Sequence, residues 1–182
     1  MAQFNEALHL TAINEGGYSN DIHDHGGETY AGIACNFWPN WQGWSHIDTI
    51  KENHGTDAET INHWAKQDVV LQSLKVAFYK QNFWDVNRLD EINDQQLADS
   101  VYDFGVNSGV SHAAKLLQKA VNIRQDGIIG SNTLFAANIN SEDVYNHYNE
   151  LRKEFYEILA THPGQHEFLE SWLSRLKPYQ TA

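Results

Sequence analysis

The sequence predicts a mainly α-helical protein that carries one small β-hairpin or loop segment near residues 18–34. Three observations lead there. Apolar residues recur at three- and four-residue steps through most of the chain, the spacing that lines one face of a helix. Side chains that close helix N-termini stand ahead of several of these stretches. Between residues 16 and 34, by contrast, five glycines and three acidic residues stand with no helical period, as in a turn-rich segment.

The first helix is expected over residues 3–15, where Phe4, Leu8, Thr11 or Ala12, and Glu15 share one face. Gly16-Gly17 ends it, because glycine readily takes the left-handed conformation that closes helices. Glu15 therefore continues an apolar stripe at the negative end of a helix dipole. Both surroundings favour the protonated acid over the carboxylate. An acid that keeps its proton near neutral pH is what cleavage of a glycosidic bond needs.

Residues 36–47, with Trp38, Trp41 and Trp44 around Pro39 and Gly43, read as a short irregular segment. It either wedges its aromatic rings into the core or lines a groove. Thr56-Asp57-Ala58-Glu59 reads as a capping box opening one helix from 57 to about 81. Asp94 caps a helix that Asn107-Ser108-Gly109 interrupts, and Ser111 caps the next, through about Val121. Asp126-Gly127 and Gly130 mark turns before a short helix at 131–138. Ser141 opens a longer helix with Tyr145, Tyr148, Leu151 and Phe155 on its buried side, and Gly164 precedes a last short one.

Composition narrows the function. A chain of 182 residues with 41% hydrophobic residues and three prolines can bury a substantial core. No apolar run approaches the roughly 18 residues that span a bilayer. A net charge of −12 argues against nucleic-acid binding, which depends on Lys and Arg neutralising phosphates. Cys35 is the lone cysteine, which excludes an internal disulfide and a cysteine-rich metal site; it reads as a small buried hydrophobe. His23 and His25 flank Asp24 without a third ligand at metal-binding spacing, so neither a metal nor another cofactor is expected. The start Met1-Ala2-Gln3-Phe4 lacks the basic and apolar regions of a signal peptide. Synthesis in the cytoplasm is expected, with any action outside reached by another exit.

Six further fragments stand in order with the glycine-rich segment. That segment holds Glu15-Gly16-Gly17-Tyr18, Gly26-Gly27-Glu28-Thr29 and Gly32-Ile33. Phe83-Trp84-Asp85, Arg88-Leu89-Asp90, Asn107-Ser108-Gly109 and Leu116-Leu117-Gln118 follow, then Asp126-Gly127-Ile128-Ile129-Gly130 with Thr133-Leu134, and Trp172-Leu173-Ser174-Arg175-Leu176. Together they resemble the N-acetylmuramidases of glycoside hydrolase family 108 over nearly the whole chain. The second half resembles that family's predicted peptidoglycan-binding region.

The resemblance implies a lysozyme-like helical fold and hydrolysis of the β-1,4 bond between N-acetylmuramic acid and N-acetylglucosamine. It implies a catalytic region at 1–92 and a peptidoglycan-binding region at 93–182, packed into one compact unit. Glu15 is then the catalytic acid. Phage-type relatives space a glutamate, eight residues, an aspartate, about five residues and a threonine. Glu15, Asp24 and Thr29 follow this with a second gap of four. Asp24 would hold a water or stabilise charge at the anomeric carbon, with Asp21 as its rival and Glu28 nearby; Thr29 would orient the water. Tyr30, Tyr102 and Asn107 are candidates for lining the saccharide groove, although Tyr102 on a helix stripe also suits the core. The partner implied is the peptidoglycan glycan strand. The chain would reach it as an endolysin released through a holin, or as a secreted effector countered by an immunity protein. Other readings are a non-catalytic peptidoglycan-binding or secretion-accessory protein, and a chitinase-like enzyme.

Overall fold

The computed structural model describes residues 1–10, 16–21 and 26–181. The chain divides into two compact units: a smaller one formed by residues 11–81 and a larger one formed by residues 1–10 together with 82–182. The fold is mainly helical with one small antiparallel sheet, in keeping with a lysozyme-like protein.

In the smaller unit, three two-residue strands, β1 (Tyr18–Ser19), β2 (Thr29–Tyr30) and β3 (Ile33–Ala34), pair antiparallel in the order β1-β2-β3. Tyr18 faces Tyr30 and Tyr30 faces Ile33, and all three are buried. Ser19, Thr29 and Ala34 take the opposite, more open face, as the two-residue period of strands requires. Ala31 and Gly32 join β2 to β3 with φ of 49° and 78°. Two positive φ values in a two-residue loop match the right-handed twist of the flanking strands. The expected hairpin is thus present, as a three-stranded sheet.

Helices α2 (Gly43–His54), α3 (Ala58–Gln67) and α4 (Val69–Tyr79) pack beside this sheet. The core holds Ile33, Ile47, Ile61, Ala65 and Leu71 with no exposed surface. Two expectations are corrected here. The segment at 36–47 is irregular as far as Gln42, and α2 begins at Gly43. Trp44, Ile47 and Ile50 repeat every three residues and bury one face of α2. The expected helix at 57–81 is two helices meeting at Asp68 and followed by a π turn at Lys80–Trp84. Asp68 has an extended backbone (ψ 97°), closes α3, and caps α4 by accepting from the Leu71 N–H at 2.9 Å. At the start of α3 the cap is Asp57, which accepts from the Thr60 N–H at 2.9 Å, rather than Thr56. The rings of Trp38 and Trp41 meet Phe78, and Trp44 meets Trp41 edge-on; Trp44 is buried in the core, Trp41 is half-buried and Trp38 keeps an exposed face.

In the larger unit, two 3-10 turns (Asp85–Asn87 and Leu89–Glu91) lead to α5 (Gln95–Ser108), α6 (Val110–Ala120), α7 (Ser131–Ile139) and α8 (Ser141–Leu159). A 3-10 turn at His166–Phe168 and the short α9 (Leu169–Leu173) follow. Asp94 caps α5 through the Leu97 N–H at 2.8 Å, as expected. Gly109 both ends α5 and precedes α6, so the second helix starts one residue before Ser111. The first helix, α1 (Phe4–Leu10), lies against α5. Phe4 stands edge-on to Trp84 and to Tyr102, with ring centres 5.7 Å away in each case. Gln95 exchanges two hydrogen bonds with the Gln3 backbone, at 2.6 and 3.0 Å. The remainder of the expected first helix, residues 11–15, lies outside the described residues.

A buried ionic cluster joins α5, α8 and the C-terminal segment. Arg152, 1% exposed, donates to Asp103 at 2.5 Å, to the Ser100 hydroxyl at 2.7 Å and to the Tyr156 hydroxyl at 3.1 Å. Arg175 reaches the other Asp103 oxygen at 2.9 Å. Burial opposes the Arg152 charge, but the Tyr156 phenol and the Asp103 carboxylate hold the guanidinium more firmly protonated than usual. A charge taken from water survives only with this degree of pairing.

Candidate active site

Gly16 and Gly17, which follow Glu15 in the sequence, sit where a side chain would not fit. A Cβ added at Gly17 would come within 2.8 Å of the Asn62 side chain, and one at Gly16 within 3.2 Å of the Ala31 backbone. That closeness lets the Asn62 carbonyl accept from the Tyr18 N–H at 2.7 Å, while Ala31 N–H donates to the Gly17 carbonyl at 3.1 Å. The chain leaving position 15 is therefore clamped between α3 and the β2–β3 turn. Gly32 has a similar reason: a Cβ there would meet the Tyr79 hydroxyl at 2.8 Å, and that hydroxyl donates to Ala31 O at 2.7 Å.

Thr29 sits in β2, half-buried on the more open face of the sheet, where its hydroxyl donates to the Gly27 carbonyl at 3.2 Å. Its lone pairs stay available to accept from a second group. Glu28, beside it, forms an ion pair with Lys51 of α2, and the Lys51 ammonium also lies 5.4 Å from the centre of the Tyr18 ring. Glu28 is thus committed to holding its strand against α2. Burial first, then the nearby Glu28 charge, raises the Tyr18 phenol above its usual range, so that ring stays neutral. Asp21 is exposed. Glu15 and Asp24, with His23 and His25, lie outside the described residues.

Of the three candidates for the saccharide groove, two are enclosed and one is exposed. Tyr30 is 4% exposed; it accepts from the Gln72 amide at 2.9 Å and stacks on Trp41. Tyr102 has no exposed surface and packs edge-on between Phe4 and Trp84. Rings enclosed in this way support the core and do not line an open groove. Asn107 is exposed in the last turn of α5, where its amide donates back to the Asp103 carbonyl at 2.6 Å. That bond ties it to the ionic cluster. Cys35 is partly exposed rather than buried.

In the second half, Asp126-Gly127 forms a turn organised from within. The buried Gln118 amide donates to the Asp126 carboxylate at 2.7 Å and to the Ile128 carbonyl at 3.0 Å, while its own oxygen accepts from the Gly127 N–H at 2.9 Å. Among the described residues, no group of three histidine, cysteine or acidic side chains is arranged to hold a metal ion. No helix among them is long and apolar enough to cross a membrane.

Comparisons with known proteins fit this geometry. The family described as "Glycosyl hydrolase 108" matches residues 8–109, which span the clamped glycines, the sheet and α5. A second family, "Predicted Peptidoglycan domain", matches residues 112–177, which include the Gln118-centred turn. No curated protein matches. Among solved structures, that of Brucella abortus SagA is similar, with 25% sequence identity and a TM-score of 0.62, over 95% of this chain and 90% of that one.

Proposed function

The chain belongs to the glycosyl hydrolase 108 family and joins that region to a peptidoglycan domain, and on this premise we propose a specific reaction. The enzyme is an N-acetylmuramidase that hydrolyses the β-1,4 bond between N-acetylmuramic acid and N-acetylglucosamine. Glu15 protonates the leaving glycosidic oxygen. Asp24 holds the attacking water or stabilises positive charge at the anomeric carbon, and Thr29 helps to orient that water. Two carboxyl groups in these roles are the usual equipment of glycosidases.

The observation that carries this reading is the pair of family matches in chain order, hydrolase first and peptidoglycan domain second. The clamp at Gly16 and Gly17 supports it, because a general acid must be held in hydrogen-bonding reach of the oxygen it protonates. Residues 1–92 would supply the chemistry and residues 93–182 the hold on the cell wall. The wall lies outside the cytoplasm, so a holin or a secretion system would deliver the enzyme. An immunity protein would guard a producing cell in the second case.

Mass spectrometry of purified sacculi after digestion tests the reading. Products should end in a reducing N-acetylmuramic acid. Predominantly 1,6-anhydro ends would mean that the sugar's own hydroxyl attacks and would overturn hydrolysis. Binding to sacculi with nothing released would leave a binding module instead.

A further inference from the structure

Of the four arginines in the sequence, Arg88, Arg152 and Arg175 each have a carboxylate partner within 2.9 Å. Arg124 has none within ion-pair distance among the described residues. It is exposed, in a chain where acidic residues outnumber basic ones 24 to 12. An unpaired guanidinium in so acidic a protein is a place where an outside carboxylate is welcome.

Arg124 also lines a concavity of about 400 Å³ with Asp126, Ile128, Ser131, Asn132 and Thr133. Asp126 does not neutralise it by contact. One oxygen of that carboxylate already accepts from the Gln118 amide at 2.7 Å and the Ile128 N–H at 3.0 Å, and Arg124 acts on it only through space. The floor is fixed, since Gln118 is 1% exposed and bonds both Asp126 and Ile128. Ile128 presents an aliphatic wall that is 72% exposed, and Asn132 and Ser131 offer both donors and acceptors. One cation, several amide-sized polar groups and one apolar wall suit a short peptide with a free carboxylate better than a neutral sugar.

We propose that this concavity holds the carboxylate-bearing stem peptide of peptidoglycan, with Arg124 on the carboxylate, Asn132 on a peptide group and Ile128 against an alanine methyl. The inference rests on the peptidoglycan reading above and assigns it a site away from the bond that is cut. It makes the second half of the chain a reader of the peptide rather than of the glycan.

The test uses the full-length protein and two soluble probes, the disaccharide-tetrapeptide and the same disaccharide without peptide, its lactyl carboxyl capped as the primary amide so that the sugar is neutral. Neither contains the bond to be hydrolysed. Calorimetry with Arg124→Gln should show the tetrapeptide Kd raised at least about fivefold, as loss of a charge-assisted bond implies. Asn132→Ala should weaken it less, and amide exchange should change at residues 124–133 with the tetrapeptide alone. A Kd for Arg124→Gln within twofold of the parent, or equal binding of the peptide-free probe, would overturn the inference. Muropeptide release from sacculi is read in parallel. Arg124-dependent binding without release sustains this site while sinking the hydrolase reading, and release with Arg124-independent binding does the reverse.

Discussion

The Tyr79 hydroxyl donates to the carbonyl of Ala31 at 2.7 Å, so the last turn of α4 holds the two-residue turn between β2 and β3. Ala31 needs that help: its φ of 49° is a conformation that residues with a Cβ adopt reluctantly. Burial pushes the Tyr79 phenol up to about 12, which keeps it a donor throughout the working pH range.

Tyr79→Phe should therefore loosen the hairpin without emptying the core. The expected loss is about 1–3 kcal/mol, because a buried carbonyl is left without its partner. Hydrogen exchange should rise at residues 29–34 and stay constant in α5 to α8. Uniform exchange would show that the turn does not depend on this bond.

Glu15→Gln keeps size and hydrogen-bonding shape while removing the proton to be transferred. Lysis of permeabilised cells should slow by at least ~10²-fold, the usual contribution of a positioned acid. The melting temperature should stay near the parent's. Activity within a few-fold of the parent would show that another group protonates the leaving oxygen.

Among the neighbouring acids, Asp24→Asn should slow turnover most, Asp21→Asn less, with sacculus affinity unchanged in both. Glu28→Gln should act differently. Its carboxylate pairs with Lys51, so the variant should lose stability before it loses chemistry. Kinetics at saturating sacculi combined with melting curves separates the two effects, and a crippled Asp21→Asn would transfer the second role to Asp21.

The ionic cluster should respond unequally. Arg152→Met leaves the buried Ser100 and the part-buried Asp103 without their main donor and should cost about 3–5 kcal/mol. Arg175→Met removes a more exposed partner and should cost about 1 kcal/mol or less. Denaturant unfolding measures both, and equal losses would contradict the burial difference.

Asp99 supplies a pH dependence. Burial raises its carboxyl to about 6, the Gln95 amide at 2.6 Å only partly opposing it, and Glu6 and Asp94 add repulsion. The folded state thus holds this proton more tightly than the unfolded chain. Stability from this group falls as pH rises from about 4 to about 6 and stays lower above that. Asp99→Asn should add about 1–2 kcal/mol near neutral pH, after discounting for partial exposure, and almost nothing near pH 4. A gain independent of pH would exclude ionisation as its cause.

Much of the helical frame was legible because its signals are local. Asp94 and the alternation from Leu97 to Val101 predict α5, and the glycine cluster predicts the hairpin. The break at Asp68 was not legible: Lys66-Gln67-Asp68-Val69 contains neither glycine nor proline, and the capping bond appears only once the backbone has turned. Helix α2 was obscured by Pro39 and three tryptophans, although Trp44, Ile47 and Ile50 carry its spacing. At the candidate site, Thr29 stands in a strand, while Tyr30 and Tyr102 are buried; the helix stripe already allowed a core place for Tyr102, whereas an aromatic ring beside a motif, as Tyr30 is, looks alike in sequence whether it faces substrate or core. The Arg152–Asp103–Arg175 cluster joins positions 49 and 72 residues apart, and no local pattern encodes such a pairing.

The grouping of α1 with residues 82–182 sets an order of events during synthesis. Phe4 leaves the ribosome well ahead of Trp84 and Tyr102, the rings it packs against, which follow some 80 to 98 residues later. Residues 11–81 can close their own sheet and helices in that interval. The nascent α1 meanwhile waits with its apolar face bare, a natural handle for a chaperone, until the chain has grown past α5 and the two ends of one unit can meet.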